Sequence, residues 1–225
     1  MQDPTFVQKA FAGIAARYVL TNHVLSLGID VLWRRRSAAE AKALNPQCVL
    51  DLATGSGDLA IAIQGAVPSA KVVGADFSVP MMREAQAGRF DKLIAADGTN
   101  LPFKDATFDL LSVGFGLRNM ASWPGALGEM HRVLRPGGHL MILDFSIPRH
   151  PLIRPFYLFY LKQVMPRIAG LLTGQRHAYE YLCRSVEQFP SGAEMEALLT
   201  SCGFGEVRTQ RLSGGIASLY IAQSL

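Results

Sequence analysis

The sequence predicts an α/β fold built on a mostly parallel seven-stranded sheet that ends in an antiparallel hairpin. Three observations carry this. Five short apolar runs, at 48–52, 71–75, 93–96, 108–113 and 139–145, have helical periodicity between most of them, the pattern of a parallel sheet covered on both faces. After Gly203 that alternation stops. Two further runs, at 204–212 and 216–223, are joined only by Ser213, Gly214 and Gly215, which fits a hairpin. Finally, the first strand runs straight into a glycine turn, Asp51-Leu-Ala-Thr-Gly-Ser-Gly-Asp58, and helical character resumes at 59–63.

The remaining segments are assigned around this core. The 225 residues, 49% hydrophobic and 18% charged, suit a single domain with a substantial core. Residues 44–146 and 203–225 are expected to form the sheet core. Residues 1–43 read as an N-terminal helical lid, with Phe11, Ile14, Ala15 and Tyr18 at helical spacing. Residues 147–202 read as an inserted helical cap and the helix before the hairpin. The cap is rich in aromatics (Phe156, Tyr157, Phe159, Tyr160, Tyr181) and would lie over the carboxyl ends of the strands.

Composition narrows the classes. The formal charge is +4, which serves solubility or draws the chain to an anionic surface. Cys48, Cys183 and Cys202 show neither metal-ligand spacing nor a disulfide framework, so a cytoplasmic location is expected. The most apolar stretch, 151–174, is broken by Arg154, Lys162 and Arg167 and is not a membrane span. It reads either as an amphipathic helix whose basic residues, with Arg176, meet lipid headgroups, or as a core-packing helix with a solvated basic face.

The glycine turn carries the first chemistry. Gly55-Ser-Gly57-Asp-Leu-Ala60 satisfies the Rossmann-like pattern for nucleotide binding, and Asp76 follows about 20 residues on, where a ribose-binding acid belongs. The charges choose between nucleotides. Asp51 and Asp58 would repel a pyrophosphate, whereas S-adenosylmethionine (SAM) brings an ammonium and a sulfonium that a carboxylate-lined loop suits. The expected cofactor contacts are therefore Asp51, Gly55, Ser56 and Gly57 in the turn, and Asp76 at the second strand end, with Phe77 and Met81 against the adenine. Asp97 and Gly98 after the third strand fit the adenine amino group. Asp76 also suits a helix N-cap, and Asp97-Gly98 a simple turn. The terminal hairpin argues against a dehydrogenase, and the set as a whole is that of a class I SAM-dependent methyltransferase.

Phe115-Gly-Leu-Arg-Asn119 follows the fourth strand, where the methyl acceptor meets the donor in this fold. Two readings of Arg118 stand level. It pairs with a neighbouring carboxylate and holds a loop, or its fork stabilises an oxyanion on the acceptor while Asn119 bonds an adjacent oxygen.

Across nearly its whole length the chain resembles the ubiquinone/menaquinone biosynthesis C-methyltransferases. The resemblance rests on Ala12-Gly-Ile-Ala-Ala-Arg-Tyr18, the SAM loop, Phe115–Asn119, Tyr179-Glu-Tyr-Leu-Cys-Arg-Ser-Val-Glu-Gln-Phe-Pro190 and Leu212-Ser-Gly-Gly-Ile-Ala217. It implies methylation of a prenylated quinol ring, most simply demethylmenaquinol, with Arg118 and Asn119 catalytic, Gly114 touching SAM, and Tyr18, Asn22 and His23 in a lid over the acceptor. It also implies a homodimer and peripheral contact with the inner face of the membrane. Val19 stands where the family often has aspartate, and Thr54 and Ser56 replace the usual Gly and Thr. A methyltransferase for another phenolic acceptor and a non-catalytic SAM-binding subunit are the competing readings. No motif of a nucleic-acid methyltransferase is present, and no metal is called for.

Overall fold

The computed structural model describes residues 26, 28–87, 90–173 and 176–225, with the side chains of 172–179 left aside. Tyr18, Asn22 and His23 lie outside the described residues.

Seven strands form one sheet: β1 (Cys48–Leu52), β2 (Lys71–Asp76), β3 (Leu93–Ala95), β4 (Phe108–Gly114), β5 (Leu134–Phe145), β6 (Phe204–Leu212) and β7 (Ala217–Ser224). Their spatial order is β3-β2-β1-β4-β5-β7-β6. The first five are parallel, and β7 pairs antiparallel with both β5 and β6. The order therefore reverses direction at β1 and β4, the switch point outside which open α/β sheets bind ligands. Register matters there: Asp51 lies level with Ser112 on β4 and Gly74 on β2.

Eight α-helices flank the sheet among the described residues: α1 (Ile29–Leu44), α2 (Asp58–Ala66), α3 (Val79–Ala87), α4 (Trp123–Val133), α5 (Ile153–Phe159), α6 (Met165–Thr173), α7 (Arg176–Gln188) and α8 (Ala193–Ser201). Successive strand residues point to opposite faces, so each apolar strand feeds two cores. Leu50, Leu111 and Ile142 pack with Leu127, Met130 and Leu199 on one side. Val49, Leu110 and Met141 pack with Trp33, Leu59 and Ile63 on the other. A third, smaller core lies within the cap, where Tyr157, Leu161 and Met165 meet Cys183 and Val186 of α7. A π turn over Tyr160–Val164 links α5 to α6.

One strand differs from expectation. β5 begins at Leu134 rather than at 139, directly after α4, and its pairing with β4 slips between Phe108 and Leu110. Arg135 pairs with Asp109 across the slip, and Gly138 permits the close return: a Cβ there would lie 2.9 Å from the Arg135 carbonyl oxygen. Arg-Pro-Gly-Gly is thus an irregular strand opening.

Candidate active site

At the carboxyl end of β1 the chain must turn sharply to start α2. Gly55 and Gly57 make that turn at φ +56 and +79, values that side chains resist. Ala53 takes φ +54 beside them without being glycine. The turn is pinned by carboxylates rather than by cations. Asp51 accepts hydrogen bonds from Ser112 Oγ at 2.6 Å and Thr54 Oγ1 at 2.7 Å. Asp76 accepts from the Gly55 N–H and the Ser78 N–H, each at 2.7 Å.

Burial dominates the electrostatics here. It lifts the Asp51 carboxyl from 3.8 to about 6, with the charge of Asp76 adding to the rise and the two hydroxyls opposing it. Asp76 is pushed upward for the same reason, against its backbone donors. Two carboxylates shut away together are costly unless a cation joins them.

The strand ends of β1, β2, β4 and β5 open onto one cleft with a cavity volume of about 170 Å³. Asp51, Gly55, Ser56, Asp76, Phe77, Met81, Asp97, Gly98, Gly114 and Asn119 all line it, so residues up to 68 positions apart in the chain meet at one place. Asp97 also accepts from the Thr99 N–H and hydroxyl at 2.8 Å, which fixes its turn. Two expected residues do not line the cleft. Gly57 serves the fold: a Cβ there would meet Ala85 at 3.3 Å and Phe90 at 3.4 Å, so it lets α3 approach.

Arg118 is the second, and of its two readings the pairing with a neighbouring carboxylate is the one seen. The residue is 1% exposed, and its Nη1 donates to Asp144 Oδ1 at 2.7 Å and to the Phe115 carbonyl. Its guanidinium carbon lies 5.3 Å from the centre of the Phe145 ring. Asp144 closes the pair from the end of β5, wholly buried; burial raises its carboxyl and the guanidinium pulls the other way. Arg118 thus holds the loop, and Asn119 presents the polar side chain at the cleft.

Sequence reasoning missed Arg34. It lines the cleft from α1, bonded to Asp30 at 2.5 Å and lying 3.7 Å from Asp58, whose other partner is the Ser56 hydroxyl. The four-residue spacing of Asp30 and Arg34 is a signal that was available, hidden among Arg35 and Arg36.

The model of the ubiE/COQ5 methyltransferase family matches residues 1–224. This chain belongs to that family. A demethylmenaquinone methyltransferase of Thermus thermophilus is 42% identical over 216 residues, covering 94% of this chain and 98% of the relative. One from Deinococcus radiodurans is also 42% identical, covering 96% and 91%. Among solved structures, a SAM-dependent methyltransferase from Aquifex aeolicus has a TM-score of 0.64 at 17% identity, with both chains fully covered. One from Thermotoga maritima, described as a possible histamine N-methyltransferase, has a TM-score of 0.65 at 19% identity, covering 97% and 100%. These two likenesses show the fold, while the family shows the chemistry: the protein is a SAM-dependent methyltransferase. The cleft fits that donor. Asp51, Asp76 and Asp97 offer acceptors to a cationic amino acid and a nucleoside, and Phe77, Met81 and Met120 offer it apolar walls.

Proposed function

We propose that the enzyme methylates a ring carbon of a prenylated quinol, converting demethylmenaquinol to menaquinol. The observation that carries this reading is the lip of the cleft at Phe115–Asn119, the stretch most characteristic of the family, with Asn119 opening onto the cavity. The names of the relatives, each similar over more than nine-tenths of both chains, support it.

In this reading Asp76 takes the ribose hydroxyls, Asp51 the ammonium, and Asp97 the adenine amino group, with Phe77 and Met81 against the ring. Bound SAM supplies a methyl carbon made electrophilic by its sulfonium. Loss of a ring hydroxyl proton to water leaves an oxyanion, to which Asn119 donates an N–H. The neighbouring carbon then bonds the methyl group as the methyl–sulfur bond breaks, and its own proton leaves to water to restore the aromatic ring. Arg118 sits one residue back and holds that lip through the Phe115 carbonyl and Asp144, in a setting that excludes water. The acceptor must be reduced, because a quinone ring is too electron-poor to attack. Tyr18, Asn22 and His23 would belong to a lid over the cleft, and the helices α5 to α7 would cap it, whereas α1 and α8 pack into the sheet cores.

The cap supports contact with a lipid surface at the inner face of the membrane. Leu152, Phe156, Phe159 and Leu171 are exposed, Phe156 to 77% and Leu171 to 90%. Arg149, Arg154 and Arg167 are exposed on the same segment, and no acid occurs in the sequence between Asp144 and Glu180. Lys162 is not part of this face, since it pairs with Glu187 at 2.6 Å. No helix among the described residues is long and apolar enough to cross a membrane.

The test is transfer of labelled methyl from SAM into an organic-extractable product, using demethylmenaquinol and a demethylated benzoquinol, each reduced and oxidised. Label is expected in reduced demethylmenaquinol. A protein that binds SAM yet labels neither quinol would overturn the reading.

A further inference from the structure

Asn119 sits between the lip of the cleft and the cap. Its Nδ2 lies 3.4 Å from the Phe115 carbonyl oxygen, and its Oδ1 lies 3.2 Å from the Tyr181 hydroxyl. The first contact settles the second. A carbonyl only accepts, so the nitrogen of the amide must face Phe115, and the oxygen is left for Tyr181, which must then donate. Burial pushes the Tyr181 phenol upward, so the proton needed for that bond is held at neutral pH.

The backbone around Asn119 makes this arrangement stiff on one side only. Phe115 takes φ +58, unusual for an aromatic residue, and its N–H bonds the Leu143 carbonyl at 2.7 Å. That conformation aims the Phe115 carbonyl back at Arg118 and Asn119. The bond to Asn119 is long, however, and alone would not stop the amide from turning over. The second hold comes from α7, 62 positions along the chain, through Tyr181, which is buried at the base of the cap.

We infer that Tyr181 is a positioning residue for methyl transfer: its hydroxyl fixes the Asn119 amide so that an N–H, not the oxygen, faces the acceptor. This rests on the quinol reading above. If the amide were inverted, its oxygen would face the negative ring oxygen of the deprotonated quinol, and the contact would turn from favourable to repulsive. The cap thereby sets the polarity of the cleft's lip while remaining outside the cleft itself.

The role predicts a split that packing alone does not produce. Tyr181→Phe keeps the ring and removes the bond. Turnover of reduced demethylmenaquinol should fall about tenfold, as expected for a lost second hold on a catalytic amide. The SAM dissociation constant and the thermal midpoint should stay close to wild type. In an Asn119→Ala background the same substitution should change turnover by less than about twofold, because it acts through Asn119. Equal losses in both backgrounds, weaker SAM binding, or full activity in Tyr181→Phe would each overturn the inference. A wild type that binds SAM but leaves the quinol unmethylated would remove the acceptor reading and this role with it. An active wild type with additive variants would remove Tyr181 alone.

Discussion

Arg118 Nη1 and Asp144 Oδ1 are 2.7 Å apart in a position from which water is excluded, 26 residues separating them in the chain. The pair is incompletely satisfied: Arg118 Nε and Asp144 Oδ2 have no partner among the described residues. Such a pair contributes little net stability, but losing one member strands the other. Arg118→Ala is therefore expected to cost about 3–5 kcal/mol in urea unfolding. The double variant Arg118→Met with Asp144→Leu should recover most of that loss while remaining poor in turnover. A double variant no more stable than the singles would show that the loop needs the pair itself.

Asp51 gives a pH dependence with a definite sign. Its carboxyl is raised from 3.8 to about 6 in the folded protein, so the native state keeps its proton longer than the unfolded chain. The resulting stability is fully present below 3.8 and is lost as pH climbs through about 6. In the absence of ligand, Asp51→Asn should be more stable than wild type at pH 7.5, by on the order of 2–3 kcal/mol. Binding of a cationic ligand favours the ionised form, so SAM affinity should weaken as pH falls through about 6, and the variant should bind weakly at every pH. Calorimetric melting and titration from about one pH unit below the transition to about two above it check both halves.

Gly116 and Ala53 bring the two loops of the cleft into contact. A Cβ on Gly116 would lie 2.4 Å from Ala53 Cβ, so Gly116→Ala must push the loops apart. We expect a loss of roughly 1–3 kcal/mol together with weaker SAM binding. Gly128 is the control: it lies inside α4 with nothing within 4 Å of a Cβ, and alanine there should raise stability by about 0.5–1 kcal/mol. Similar melting temperatures for the two variants would contradict the close approach.

The exposed aromatics of the cap should matter on lipid and not in solution. Phe156→Ser with Phe159→Ser is expected to lower co-sedimentation with phosphatidylglycerol vesicles at least tenfold, since each buried ring is worth roughly 1.5–3 kcal/mol. Turnover of a short-tailed, water-soluble quinol should remain near wild type. Unchanged vesicle binding would assign the apolar face to something other than lipid.

Much of the fold is legible in the sequence because parallel strands buried on both faces are nearly continuously apolar, as 49–52 and 110–113 are apart from Asp51 and Ser112, which bond each other. The glycine turn is legible for a related reason: its backbone conformation restricts which residues occur there. The nucleotide side of the cleft followed from local spacing, since Asp51, Gly55 and Asp76 each end or follow a strand. The acceptor side did not. Arg118 finds its carboxylate on another strand, Asn119 finds its phenol on a cap helix, and Arg34 reaches the cleft from α1. Partners brought together only by packing leave no periodic trace, which is why pairing and catalysis stood level for Arg118 until the fold was in view. The early start of β5 was hidden likewise, because the apolar run from which the strand was read begins only at 139.

The hairpin that closes the sheet also imposes a timetable. β7 follows β6 in the chain but lies inside it, between β6 and β5. Among the described residues β6 has no strand partner other than β7, so it cannot join the sheet until β7 has been made and inserted. Until then the outer edge of β5, including Met141, Ile142 and Leu143, stays bare and apolar. Such an edge invites pairing with a neighbouring chain. Removing β7 would recreate that nascent state in a finished molecule, leaving an adhesive half-sheet rather than a smaller enzyme.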